Sequence, residues 1–179
     1  MSFNKYRNMI ILETDRLILR EFNTGDAAFI LILLNNPSWL QYIGDRNVKT
    51  MEDAHNYLLN GPMKSYHENG FGLSMVEMKK NHTPIGMCGL IKREALENVD
   101  IGFALLPEYA GMGYAFEIAA ATMSYAKNSL GFENIVAITS EDNEHSIRLL
   151  NKIGLGFERM VKLAEDEESL MLFSRTGSI

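Results

Sequence analysis

The chain has 179 residues, a length suited to one domain, and its 46% hydrophobic and 22% charged residues are the balance of a soluble globular protein. A net charge of −6 argues against a nucleic-acid surface, which needs a basic patch, and sits better with a cationic or amine-bearing partner. No apolar run approaches the ~20 residues that span a bilayer, and MSFNKYRNMIILETDR has no signal-type apolar region, so a cytoplasmic protein without membrane contact is expected.

In chain order, TDRLILREF sets Leu17 and Leu19 against Arg16, Ile18 and Arg20, which predicts a first strand. A helix follows near Asp26, with Phe29, Ile30, Leu33 and Leu34 at helical spacing, and Asn35, Asn36 and Pro37 stop it. A second helical region begins at Thr50, a cap with Asp53 three residues on, and Gly61 and Pro62 interrupt or end it. FGLSMVEM, PIGMCGLI and VDIGFALL are three strands with short polar connections, hence antiparallel neighbours. A long helix from Tyr114 carries Phe116, Ala119, Ala120, Met123, Ala126 and Leu130 on one face, with Gly131 at its C′ position. ENIVAITS is a buried strand, NEHSIRLLNKIG an amphipathic helix closed by Gly154, and FERMVKL and ESLMLFS a terminal hairpin around AEDEE.

Meandering strands followed by a β-α-β unit imply an α/β (α+β) fold in one domain, 1–179, with a mixed sheet and helices on its faces. Cys88, the single cysteine, excludes an internal disulfide and reads as a buried small hydrophobe. The histidines, His55, His67, His82 and His145, show no ligand spacing, so no metal is expected.

The connection LLPEYAGMGYAFE raises the functional question. Gly111 and Gly113 stand between a strand and a helix start, at the carboxyl end of the crossover's first strand, where open α/β sheets bind ligands. They serve either a plain turn that needs glycine geometry or a cradle in which the N–H groups of Gly111, Met112, Gly113, Tyr114 and Ala115 converge on a diphosphate. The nucleotide patterns GxxxxGK[ST] and GxGxxG are absent.

AGMGYA, preceded by VDIGFALLPEY, resembles the acyl-CoA turn of the GNAT N-acetyltransferases, [QR]-x-x-G-x-[GA] after a bulged strand. Gly113 and Ala115 match its fourth and sixth positions, while Ala110 departs from Gln or Arg at the first. NEHSIRLLNKIGLGFER resembles the same family's N-x-x-S-x-x-x-L-x-K-x-G-F segment through Asn143, Ser146, Leu150, Lys152 and Gly154. TDRLILREF and NNPSWLQYIGD resemble its RimJ/RimL branch of ribosomal-protein N-terminal acetyltransferases.

The resemblance implies a GNAT fold: a mixed, mostly antiparallel sheet of about seven strands flanked by about four helices. It implies acetyl-CoA as cosubstrate, no metal, and direct transfer to a primary amine by a monomer or homodimer. A protein or peptide α-amine is the preferred acceptor; a small-molecule amine, or a non-catalytic acyl-CoA-binding module, is the alternative. Asp100, where the family often has a glutamate, is the candidate base or else a strand-end carboxylate. Ser146 is a candidate proton donor to the thiolate or a structural hydroxyl, and Asn143 borders the pantetheine arm or simply caps its helix. Backbone N–H groups of Phe103, Ala104 and Leu105 are the source of a carbonyl donor, freed by a bulge that Gly102 eases, unless Gly102 is an ordinary glycine of a central strand. His145 is a proton relay or a helix-surface residue, Trp39 and Tyr42 line the acceptor site or pack in the core, and the run Glu165, Asp166, Glu167, Glu168 either attracts a cationic substrate or is a solvated loop.

Overall fold

A computed structural model describes residues 9–165 and 167–175, so the ends of the expected domain, 1–8 and 176–179, and Asp166 lie outside the described residues. Where one first strand was expected there are two, β1 (Ile10–Glu13) and β2 (Leu17–Arg20). Thr14 closes the turn between them: its N–H donates to Leu17 O at 2.9 Å, and its hydroxyl accepts from Leu17 N at 2.9 Å. All four residues of β2 are buried, so the alternation in LILR does not mark a solvent face. Arg20 is buried because Asp26 takes both its terminal nitrogens, at 2.8 and 2.9 Å, and Glu77 accepts from Nε at 2.7 Å. A paired, fully hydrogen-bonded cation is tolerable inside; an unpaired one is not.

The first helix, α1 (Ala27–Leu34), ends where expected, but Pro37 also starts a new one, α2 (Pro37–Tyr42). Proline lacks an N–H that the first turn would leave unbonded anyway, and Asn36 caps this helix by accepting from Trp39 N. Thr50 and Asp53 form the expected capping box of α3 (Met51–Asn60), and Pro62 opens α4 (Pro62–Asn69). The chain continues through β3 (Leu73–Met78), β4 (Pro84–Ile91), β5 (Val99–Leu105), α5 (Tyr114–Asn128), β6 (Ile135–Thr139), α6 (Glu144–Lys152), β7 (Leu155–Val161) and β8 (Leu170–Arg175).

Among the described residues the strands form one sheet of eight, in the order β1-β2-β3-β4-β5-β6-β8-β7. Every neighbouring pair is antiparallel except β5 and β6, which α5 joins as a crossover. On one face Ile118, Ala119 and Leu150 of α5 and α6 pack on Val99, Ile101 and Cys88; on the other Ile30, Leu34 and Leu58 cover Met75 and Met87. The buried face of α5 is Ile118, Ala119, Thr122 and Ala126, rotated from the expected one. Thr122 enters the core because its hydroxyl donates to Ile118 O at 2.8 Å, and the small side chains bring the helix close to the sheet. Phe116 is left on the flank, its ring 4.2 Å from the Lys152 ammonium. The helix ends at Asn128 with Ser129 as cap, which puts Gly131 (φ +76°) one position beyond C′.

Candidate active site

The two central strands part company early. β5 pairs with β6 only at Val99–Ile135 and Asp100–Val136. Leu106 N donates to Ile85 O at 2.8 Å, so by the alternation of an antiparallel ladder Ala104 turns its N–H to β4, while Phe103 and Leu105 turn theirs toward β6, where pairing has ceased. A donor for an acyl carbonyl is thus available at Phe103 or Leu105, and Ala104 is not one. The bulge expected at Gly102 is absent: β4 and β5 stay in register from Gly86–Leu105 to Ile91–Asp100. The gap arises because β6 diverges from β5, not from a distortion within β5.

After β5 the chain makes a short 3-10 turn over Pro107–Tyr109 and reaches the glycines. Gly111 has φ +74° and Gly113 φ +82°, conformations that side-chain-bearing residues rarely hold. A Cβ on Gly111 would meet nothing within 4 Å, so the turn opens to solvent on that side. Gly113 is the N-cap of α5 and makes no side-chain cap, which leaves the first-turn N–H groups without a side-chain acceptor. This open array at a positive helix end fits a diphosphate.

Beside the turn lies a residue that sequence reasoning missed. Arg16 donates from Nε to Glu117 Oε2 at 2.6 Å and from Nη1 to Met112 O at 3.1 Å, and its guanidinium carbon stands 4.3 Å from the centroid of the Tyr114 ring. Glu117 also accepts from the Thr14 hydroxyl at 2.7 Å and from Arg16 N at 3.0 Å. Burial alone would raise the Glu117 pKa; the hydrogen bonds from Thr14 and Arg16 outweigh it and hold the carboxyl below its ordinary range.

Asp100 is 1% exposed. Val99 and Ile101 join the core under α5, so Asp100 projects from the opposite face of the sheet. Its Oδ2 accepts from Arg93 Nε at 2.6 Å, and Oδ1 has no well-formed hydrogen bond. Burial pushes its pKa up to about 6; Arg93 and the Ile138 backbone N–H oppose the rise without cancelling it. The strand-end carboxylate is therefore a buried ion-pair partner of Arg93.

Asn143 caps α6 by accepting from Ser146 N at 3.1 Å. Ser146 lies one turn before the fully buried Leu150 and so on the inward face of α6; its hydroxyl makes no hydrogen bond among the described residues. Ser140, just past β6, has a buried Oγ that is likewise unpartnered. Asp100 and Ser146 thus occupy opposite faces of the sheet.

Trp39 is 5% exposed in the core under α1 and donates Nε1 to Gly44 O at 3.1 Å; Tyr42 is half-buried. His145 is exposed beside Arg148, and Glu165, Glu167 and Glu168 are exposed in the β7–β8 loop. Full burial pushes the Cys88 thiol up to about 12, which makes it inert as a nucleophile. Among the described residues no group of three or more His, Cys, Asp or Glu is placed to hold a metal ion, and no helix is long and apolar enough to cross a membrane.

Known proteins share this architecture. The chain is 31% identical over 154 residues to the uncharacterized N-acetyltransferase YoaA of Bacillus subtilis (strain 168), covering 85% of this chain and 86% of that one. The structure of RimL, a ribosomal L7/L12 alpha-N-protein acetyltransferase, in complex with coenzyme A superposes with TM-score 0.79 at 18% identity, over 93% and 97% of the two chains. A spermidine N-acetyltransferase SpeG chimera from Vibrio cholerae and hSSAT superposes with TM-score 0.71 at 20% identity, over 89% and 94%. The model of the acetyltransferase (GNAT) domain matches residues 16–156, a span that holds the parted strands, the glycine turn and the cap of α6. With the sequence match and the sheet in agreement, the chain belongs to the GNAT family of acetyltransferases.

Proposed function

We propose that the protein transfers the acetyl group of acetyl-CoA to the α-amine of a peptide or protein N-terminus, with Asp100 as general base and Ser146 as proton donor. The observation that carries this reading is the Asp100 carboxyl: buried, held at Oδ2, without a well-formed hydrogen bond at Oδ1, and with a pKa of about 6. At pH 7 a lysine ammonium costs roughly 4.6 kcal/mol to deprotonate and an α-ammonium about 1.4 kcal/mol. A carboxylate of pKa about 6 is a modest base, matched to the easier of the two tasks.

The cosubstrate supplies the activated acyl group; the chain binds, orients and moves protons. Backbone N–H groups of Gly111, Met112, Gly113, Tyr114 and Ala115 hold the diphosphate, with Ala110 contributing no side chain, and Asn143 borders the pantetheine arm. Phe103 or Leu105 N–H polarises the acetyl carbonyl. The amine nitrogen bonds to the carbonyl carbon and the C–S bond breaks. The amine proton passes to Asp100 Oδ1, directly or through one water, while the departing sulfur takes the Ser146 hydroxyl proton, which solvent replaces.

The deciding experiment measures thiol release from acetyl-CoA against Ser- and Ala-initiated peptides, lysine peptides, amino acids, polyamines and aminoglycosides. Turnover on the initiated peptides is the expected result. Turnover confined to polyamines or other small amines would replace the acceptor and keep the chemistry.

A further inference from the structure

We propose that Arg16 is a diphosphate ligand of this acetyl-CoA site, supplying from the β1–β2 turn the cation that position 110 lacks; the inference rests on the acetyl-CoA reading above. The side chain is fixed from three directions. Glu117 holds Nε, Met112 O holds Nη1, and the Tyr114 ring lies under the guanidinium plane. Nη2 is left over: it donates to no group among the described residues. That nitrogen stands 3.4 Å from where a Cβ on Gly113 would be, on the side of the turn that glycine leaves open. The Arg16 side chain is 45% exposed, so a solute anion can reach it.

The arrangement also answers an electrostatic problem. Glu117 sits in the first turn of α5, where its negative charge would compete with a diphosphate for the same positive helix end. Paired with Arg16, it becomes the anchor of the guanidinium instead. The planar fork of arginine suits phosphate oxygens, and a donor already held in place loses little side-chain freedom on binding.

Isothermal titration of acetyl-CoA into wild-type protein, Arg16→Gln and Arg16→Lys tests this, with S-acetylpantetheine, which lacks the diphosphate, as the comparison ligand in NMR titrations. Arg16→Gln is expected to raise the acetyl-CoA Kd about tenfold or more and Arg16→Lys by less, while the Kd of S-acetylpantetheine stays put. An unchanged acetyl-CoA Kd in Arg16→Gln overturns the proposal. Equal weakening of both ligands overturns it too, since that would make Arg16 only a staple between β2 and α5. If wild-type protein binds no acetyl-CoA, the reading of the site falls first and this inference with it.

Discussion

Arg93, in the loop between β4 and β5, holds Oδ2 of Asp100 at 2.6 Å and leaves Oδ1 without a well-formed hydrogen bond. The pair sits where β5 and β6 stop pairing, so a buried carboxylate lies at the edge of the gap between these strands. Burial favours the protonated form and Arg93 the charged form; burial prevails.

The pH profile of kcat/KM should therefore have an acid limb near pH 6, with activity lost as Asp100 is protonated below it. Asp100→Asn should abolish that limb and cost about 10²–10⁴-fold at neutral pH. Stability carries the opposite sign. The folded pKa of about 6 exceeds the unfolded ~3.9, so the contribution of Asp100 is fully present below the unfolded value and lost as pH rises through 6. Denaturant melts should show the variant gaining on wild type between pH 4 and pH 7, by at most about 3 kcal/mol.

Arg93→Gln removes the group that opposes the rise in the Asp100 pKa. The acid limb should move to higher pH, with activity weak at neutrality and recovering in alkaline buffer, and Arg93→Lys should restore part of the shift. A uniform loss at every pH would mean that Arg93 only supports the hairpin.

Gly111→Ala places a methyl group into open space at φ +74°. Thermal melts should register a stability loss of about 1–2 kcal/mol for the left-handed conformation. Calorimetry should register a larger effect, a several-fold rise in the acetyl-CoA Kd, because a methyl on the open side of the turn would stand where the proposed diphosphate lies. An unchanged Kd would move the diphosphate away from the turn.

Ser146→Ala should leave folding stability nearly unaltered, since the hydroxyl bonds to nothing among the described residues and the Asn143 cap uses the backbone N–H of Ser146. Stopped-flow and steady-state rates should fall in kcat with little change in acetyl-CoA affinity. Retention of full kcat would remove Ser146 from the chemistry.

The features legible in the sequence are those set by a few neighbouring residues. Thr50 with Asp53, Asn143 with Ser146, and the left-handed Gly111, Gly113 and Gly154 follow from capping and backbone sterics, which act over three or four positions. Pro37 was legible as a stop and equally encodes a start, since proline tolerates the first turn of a helix. The tertiary structure decided the rest. The glycine turn acquires its cation from Arg16, about a hundred residues earlier, and no local pattern links Arg16 to Glu117. The face of α5 was decided by a threonine that satisfies its own hydroxyl, which hydrophobic periodicity counts as polar. Asp100 became a buried carboxyl with a raised pKa only in the folded chain, because desolvation depends on everything packed around a group rather than on its neighbours in the sequence.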